Sequence, residues 1–164
     1  MKKYVFVSLI FLLITACSME PAKKADIKLG LQSWTCRNMT FEETVVFAAK
    51  HEIKYIEFFR GHIDPAASRD IHAKQKAFLA KHGVAAYSIG VSRTSMEKEE
   101  NRKLFELAKF FDMKVVVVEP KNFDEWDNLE ELVKEYDIKL AIHNHGTGTA
   151  YGAPATVRGV LAER

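Results

Sequence analysis

Five short apolar segments recur along this sequence at intervals of roughly 25 to 30 residues, close to the ~31 residues per unit of a barrel that shares about 250 residues among eight units. Each is rich in β-branched or aromatic residues, as strands are: KLGLQSW (28–34), IKYIEFF (53–59), VAAYSIGV (84–91), KVVVVEP (114–120) and KLAIHNH (139–145). Amphipathic segments separate them. The alternation predicts an α/β fold of the (β/α) TIM-barrel type, incomplete, with about five βα units present. An open, doubly wound sheet is the alternative that spacing alone leaves open.

The segments between the strands carry helix start and stop signals. Thr40 and Glu43 have the spacing of a capping box, in which each side chain bonds the other's backbone N–H. Gly83 follows the second helical pattern and can adopt the left-handed conformation that ends a helix. Pro154 stands where the fifth helix would begin, a position that proline favours. These signals predict helices that begin at Thr40, end at Gly83 and begin again at Pro154.

The N-terminus is set apart from the repeating pattern. Lys2 and Lys3 precede the apolar run YVFVSLIFLLI, which is short for a membrane span but typical of a signal peptide. The following ITAC resembles a bacterial lipobox, so residues 1–16 are predicted to be a lipoprotein signal peptide. Residues 17–26 are then the lipidated Cys17 and a polar tether, and residues 27–164 are the domain. An exported lipoprotein, anchored by its lipid on the periplasmic or cell-surface side, is the prediction; an uncleaved anchor or a fortuitous apolar start are the alternatives.

The charge balance argues against a nucleic-acid-binding protein, and the cysteine count argues against an intrachain disulfide. With 24 Lys and Arg against 22 Asp and Glu, the chain lacks the basic surface that nucleic acid requires, so no nucleic-acid partner is expected. If Cys17 carries lipid, Cys36 has no cysteine left to pair with and is expected to be a free structural thiol.

Side-chain alternation along the strands indicates which residues face the barrel axis. If the bulky aliphatic residues meet the outer helices, polar groups converge on the inside near the carboxyl ends of the strands: Gln32, Trp34, Glu57, Ser88, Glu119, His143 and His145. In the third strand the same alternation places Ala86 inside and Tyr87 outside. The carboxyl ends of the strands are where parallel α/β proteins bind their ligands.

Each of these residues has a structural alternative. Glu57 and Glu119 are either catalytic bases or hydrogen-bonded structural partners. His143 and His145, two apart on one face, either reach the same ion or the same sugar hydroxyl or are hydrogen-bonded core histidines. Trp34 is either a platform for a sugar ring or part of the core. His62, in the loop after the second strand, is either a substrate contact or a solvated loop residue.

Three segments in order carry a resemblance: KLGLQSWTCRNMTFEETVVFAAKHEIKYIEFF (28–59), VVVVEP (115–120) and LAIHNHG (140–146). Together they resemble the sugar phosphate isomerase/epimerase family of xylose isomerase-like TIM barrels, over essentially all of residues 27–164. The same superfamily includes DNA-repair enzymes of the endonuclease IV type, an activity that the export signal and the balanced charge disfavour.

The resemblance implies a divalent metal, Mn²⁺, Mg²⁺, Zn²⁺ or Co²⁺, at the carboxyl-terminal mouth of the barrel, where the carbonyl and neighbouring hydroxyl of a sugar bind. Proton transfer through an enediolate, or hydride transfer, would then isomerise or epimerise the sugar. Many members place a metal-binding glutamate on the fifth strand, and His143 occupies that place here. On this resemblance His145 is a second metal ligand or a substrate contact, and Glu57 is a partner of a sugar hydroxyl. Together with the positions of the residues, this makes Glu57 and Glu119 the candidate catalytic residues and Trp34, His62 and His145 the candidate substrate contacts.

The family's remaining metal ligands come from the last three strands of the barrel, and the sequence ends at Arg164 after the fifth helix. We therefore expect a truncated barrel that is inactive as this chain alone, acting in its complete form on a non-phosphorylated carbohydrate. The unpaired edges of a partial sheet leave pairing into a homo-oligomer open. A non-catalytic, carbohydrate-binding half-barrel is the alternative function.

Overall fold

The computed structural model describes residues 27–164, which form five strands and five α-helices in strict alternation. The elements are β1 Gly30–Gln32, α1 Phe41–Lys50, β2 Tyr55–Phe58, α2 Arg69–His82, β3 Ala85–Ser92, α3 Lys98–Phe110, β4 Val115–Val118, α4 Glu125–Tyr136, β5 Lys139–Ile142 and α5 Pro154–Glu163. A short 3₁₀ helix, Ser33–Cys36, follows β1. The predicted signal peptide, lipidated Cys17 and tether lie outside the described residues. Within those residues, no helix has the length and apolar character needed to cross a membrane.

All five strands are parallel and lie in one open sheet in the order β1-β2-β3-β4-β5. Each strand therefore pairs with the next one along the chain, as in a barrel wall, and no strand crosses over to the other side of β1. That order confirms the prediction of an incomplete TIM-barrel-type fold over the open doubly wound sheet, whose strand order reverses at a switch point.

The hydrophobic core lies between the sheet and the layer of helices. Ile56 and Phe58 of β2, Ile89 of β3, and Val116 and Val118 of β4 are all buried. The helices cover them with apolar residues at helical spacing: Val45, Ala48, Leu79, Leu104, Ala108, Leu129 and Leu132. Burying each large side chain of this kind contributes roughly 1.5–3 kcal/mol. The core therefore fixes which face of each strand is left for the barrel interior.

The predicted helix signals are present in the structure. Thr40 Oγ1 accepts from Glu43 N–H at 3.1 Å while Glu43 Oε2 accepts from Thr40 N–H at 2.8 Å, which completes the capping box. Gly83 ends α2 with φ +64°, in the left-handed region that favours glycine. Pro154 is the first residue of α5. Local sequence therefore determines where these three helices begin or end.

The third strand corrects the predicted alternation. Ile56 pairs with Ala86 and Glu57 pairs with Ser88, so the register passes over Tyr87. This bulge changes the phase of the strand: Ala86 belongs to the core on the helix side, and the Tyr87 ring lies 5.8 Å from that of Tyr55 on the barrel side. The prediction of Ala86 inside and Tyr87 outside was wrong, because one unpaired residue shifts every side chain that precedes it to the opposite face.

Candidate functional site

The carboxyl ends of the strands enclose an open cleft of about 440 Å³. Its lining comes from the ends of β1, β2, β3 and β5 and includes apolar, aromatic and polar side chains: Gln32, Trp34, Phe59, Arg60, Gly90, Val91, His143 and His145. Four of these, Gln32, Trp34, His143 and His145, are residues that the sequence predicted to converge at this end of the strands. The structure therefore brings the aromatic platform and the histidine pair to one cleft.

Hydrogen bonds just beyond β1 hold the aromatic side of the cleft. The buried hydroxyl of Ser33 accepts from Phe59 N–H at 3.0 Å, which joins the chain after β1 to the chain after β2. The neighbouring Trp34 ring then stands edge-on to Phe59, with centroids 5.3 Å apart, and the Arg37 guanidinium lies 5.4 Å from the Trp34 ring centroid. Even with these contacts Trp34 is 57% exposed, so an indole surface remains open to a ligand.

The histidine side of the cleft continues the pairing of β4 with β5. His143 N–H donates to Val118 O at 2.9 Å, which extends the ladder one residue past the end of β5. By strand alternation, His143 shares its face with Ala141, which lines the interior of the partial barrel. The rings of His143 and His145 are 4.5 Å apart and nearly perpendicular. Both imidazoles therefore reach the same end of the cleft.

Glu119 fixes the orientation of His145. The distance from His145 Nδ1 to Glu119 Oε1 is 3.0 Å. Because a carboxylate can only accept, Nδ1 carries the proton and Nε2 keeps its lone pair in the neutral ring. Nε2 has no hydrogen-bond partner among residues 27–164. A carboxylate-bound histidine of this kind suits either a proton acceptor or a metal ligand.

Glu57 occupies a separate position on the inner face of the sheet. Its carboxylate accepts a hydrogen bond from Ser88 Oγ at 3.0 Å. Both side chains line an open groove of about 320 Å³ on the inner face of the sheet, together with Tyr55 and Tyr87. Two predicted inward residues therefore meet, and they do so deeper in the partial barrel than the histidine pair.

His62 does not line the cleft. It is 6% exposed, its Nε2 lies 2.9 Å from Met39 O, and its ring stands edge-on to Phe59 with centroids 4.6 Å apart. A carbonyl oxygen accepts, so Nε2 is protonated and joins the loop after β2 to the loop before α1. The structure therefore places His62 behind the aromatic side of the cleft, where it supports Phe59.

Within residues 27–164, no group of three or more His, Cys, Asp or Glu side chains lies close enough together to hold a metal ion. His143 and His145 can each supply one nitrogen ligand, and protein metal sites usually have three or four protein ligands. The described residues therefore do not complete a metal centre on their own. Cys36 is a buried free thiol, as expected, and takes no part in the cleft.

Tyr151 anchors the loop that follows the histidine pair. Its side chain is fully buried, its hydroxyl accepts from Trp126 Nε1–H at 2.9 Å, and its ring lies 5.6 Å from that of Phe123. Burial raises the pKa of the Tyr151 phenol above its usual value. The loop of residues 146–152 is thereby attached to α4 at one end and to the histidine strand at the other.

The Tyr151→Phe variant is expected to lose roughly 1–3 kcal/mol of unfolding free energy at neutral pH, because the Trp126 N–H is left buried without an acceptor. A phenol whose folded-state pKa is raised stabilises the fold below the unfolded value of about 10 and loses that contribution as pH rises above it. Between about pH 9 and pH 11, the unfolding free energy of Tyr151→Phe should therefore fall by less than that of the unaltered chain. Urea unfolding at both pH values measures this, with the exposed Tyr87→Phe as control; equal pH dependence in all three proteins would contradict it.

Sequence reasoning missed several residues of the cleft. Phe59 and Arg60 directly follow β2, and Val91 belongs to the far end of β3. The signal that was available is position: any residue just after a barrel strand can reach the mouth. Position alone does not predict the direction of a side chain. The path of each loop decides whether the side chain turns toward the cleft or, like His62, away from it.

The geometry defines an incomplete TIM-barrel-type domain with an aromatic and histidine-lined cleft at the carboxyl ends of its strands. No protein-family model and no curated protein matches this sequence. Among solved structures, the chain is similar to an uncharacterized protein from Parabacteroides distasonis ATCC 8503, with 29% identity and a TM-score of 0.71 over 85% of this chain and 60% of that one.

A second similar structure is a xylose isomerase domain containing protein from Salmonella typhimurium LT2. It has 12% identity and a TM-score of 0.69, over 83% of this chain and 56% of that one. At this identity the likeness concerns the fold, which is xylose isomerase-like. The chain spans less than two thirds of the length of either protein.

Proposed function

We propose that this chain carries the sugar-binding part of a metal-dependent sugar isomerase or epimerase. The observation that carries the proposal is the cleft in which the exposed ring of Trp34 stands with His143 and His145 at the carboxyl ends of parallel strands. An aromatic face packs against the C–H face of a sugar, and imidazoles bond its hydroxyls. The xylose isomerase-like fold supports the same class of ligand.

The pair of His145 and Glu119 gives the chain a means of moving a proton. Nε2 of the neutral ring can take a proton from a sugar hydroxyl, and Glu119 beside Nδ1 stabilises the imidazolium that results. Glu57, deeper in the partial barrel, is the second candidate base, and Ser88 holds its carboxylate in place. By hydride transfer, these residues would take the proton of the hydroxyl next to the carbonyl; by the enediolate route, one of them would take the proton of the neighbouring C–H, which the carbonyl acidifies.

The divalent metal of the proposal would take His143 as one nitrogen ligand, and further ligands would come from outside the described residues. Imidazole ligands favour Zn²⁺ or Co²⁺ over Mg²⁺. When bound, such an ion would polarise the sugar carbonyl. Since residues 27–164 do not complete the centre, we expect the isolated chain to bind metal weakly and to turn over no sugar.

His143→Ala in the full chain tests the metal. We expect the unaltered chain to bind Co²⁺, followed by calorimetry and visible absorbance, and the variant to bind it at least about 10-fold more weakly. His51→Ala is the matched control, because His51 is exposed at the end of α1 and does not line the cleft. Equal Co²⁺ affinity in the His143 variant would rule out the metal assignment.

A non-catalytic carbohydrate-binding protein is the second candidate function. It is favoured by one observation: no three metal-ligating side chains converge within residues 27–164. Sugar binding that persists in the presence of a chelator and in His143→Ala would favour this candidate over the enzyme. The export, the lipid on Cys17 and the homo-oligomer stay predictions that concern the whole protein.

A further inference from the structure

A second pocket adjoins the cleft on the side of the histidine pair. It has a volume of about 440 Å³, as large as the cleft itself, and lies between the chain that ends β3 and the chain that follows β4. Val91 lines both spaces. Glu119, whose carboxylate bonds His145 at the end of the cleft, also lines this second pocket. The two spaces therefore meet at Val91 and Glu119, and one ligand can extend from one space into the other.

Polar side chains dominate the lining of this second pocket, which we call the polar pocket. Apart from Val91, every lining residue carries a hydroxyl or a charge: Ser92, Arg93, Thr94, Glu119, Lys121 and Glu125. Two carboxylates are matched by two cations, so the lining has no net charge. It therefore gives neither an anion nor a cation an electrostatic advantage, and hydrogen bonding is left as the means of recognising a ligand.

Glu125 is the fixed acceptor of the polar pocket. Its side chain is ionisable, yet the residue is only 6% exposed. Oε2 accepts from Thr94 Oγ1–H, and Oε1 accepts from Asn122 N–H at 3.2 Å. A carboxylate has about four acceptor positions. These two bonds therefore hold the carboxylate in place and leave acceptor positions for a ligand.

The polar pocket also has donors to spare. The side chains of Ser92, Arg93 and Lys121 have no hydrogen-bond partner among residues 27–164. A sugar hydroxyl both donates and accepts, so neighbouring hydroxyls of one sugar can donate to the carboxylates and accept from these three side chains. Hydrogen bonds to charged groups are the stronger ones. The polar pocket therefore suits a neutral unit that carries several hydroxyls.

We infer, on the basis of the proposed sugar-binding function, that the ligand is a disaccharide or a longer saccharide. One sugar unit lies against Trp34 in the cleft, and the next unit lies in the polar pocket, where it bonds Glu119 and Glu125. Both spaces are within the range of roughly 300–1,000 Å³ that is typical of ligand pockets, so each can hold one unit. Glu119 then contacts the second unit while it orients the His145 that serves the first.

Calorimetry on the full chain compares disaccharides with their component sugars: cellobiose, maltose, lactose and xylobiose with D-glucose, D-galactose and D-xylose. We expect at least one disaccharide to bind at least about 10-fold more tightly than either of its components. In Arg93→Ala with Lys121→Ala this preference should fall at least about 5-fold, while the affinity for the monosaccharide stays within about 2-fold. Arg158→Ala with Lys134→Ala is the matched control, because both residues are exposed on helices and line neither space.

The outcomes separate the two proposals. If monosaccharides bind and no disaccharide binds more tightly, the saccharide of two or more units is overturned and the proposed function stands. A preference that survives in Arg93→Ala with Lys121→Ala, or that falls equally in the control, also overturns it, because the second unit would not lie in the polar pocket. If no sugar of either length binds, the sugar-binding function fails, and the longer ligand fails with it.

Discussion

The Gly90→Ala variant is expected to lose about 3 kcal/mol or more of unfolding free energy, because its new methyl group has no room. Gly90 is buried at the end of β3 that lines the cleft, and a Cβ there would lie 2.4 Å from Val117 Cβ and 3.1 Å from Val117 O. No rotamer change moves a Cβ or a backbone oxygen. The two strands would have to separate, and the ladder between β3 and β4 would weaken.

Gly159→Ala is the control, because it shows the effect of replacing a glycine where the new methyl group has room. Gly159 lies within α5, and a Cβ there meets nothing within 4 Å. Alanine in a helix is favoured over glycine by roughly 0.5–1 kcal/mol, so this variant should be slightly more stable. Urea unfolding of both variants measures the difference. A Gly90→Ala protein as stable as the unaltered chain would mean that β3 and β4 do not approach each other as closely as described.

The parts of the fold that the sequence predicted are those set by local and periodic patterns. The five strands, the start of α1 at Thr40, the end of α2 at Gly83 and the start of α5 at Pro154 all depend on residues within a few positions of one another. The inward orientation of His143 follows from alternation with Leu140 and Ile142 along a single regular strand. Patterns that extend over only a few residues, or along one strand, can be recognised in a single sequence.

The parts that the sequence did not predict depend on partners far along the chain. The bulge at Tyr87 lies in the pairing of β3 with β2, a strand that a whole helix separates from β3 along the chain. The bond between Glu119 and His145 joins residues that follow two different strands, so each was identified alone and their pairing was not.

The cleft has two halves: an aromatic half formed by Trp34 and Phe59, and a histidine half formed by His143 and His145. The histidine half follows from the β4 to β5 ladder and from Glu119, and the core fixes that ladder. The aromatic half is held by Ser33 Oγ, which accepts from Phe59 N–H, by Gln32 Oε1, which accepts from Trp34 N–H, and by the His62 ring against Phe59. Both halves lie just past the ends of their strands, so a ligand that bridges them would contact residues outside the regular sheet on either side.

The Trp34→Ala variant is expected to lose about 2 kcal/mol of sugar-binding free energy, roughly 30-fold in affinity, because the platform for the sugar ring disappears. Its unfolding free energy should change by less than about 0.5 kcal/mol, as is usual for an exposed side chain. Trp34 is 57% exposed and contacts Phe59 at a ring edge, so the fold depends little on it. Titration with the sugar that the unaltered chain binds most tightly, followed through the amide NMR signals of Gly90 and Val91, measures the affinity in both proteins.

Trp34→Phe distinguishes stacking from a general disturbance of the loop. A phenyl ring offers a smaller face of the same kind, so the variant should keep most of the affinity, whereas loss of the loop's shape would weaken both variants alike. If Trp34→Ala binds the sugar as tightly as the unaltered chain does, the sugar ring does not lie on Trp34. The histidine pair would then have to hold the ligand without the aromatic half of the cleft.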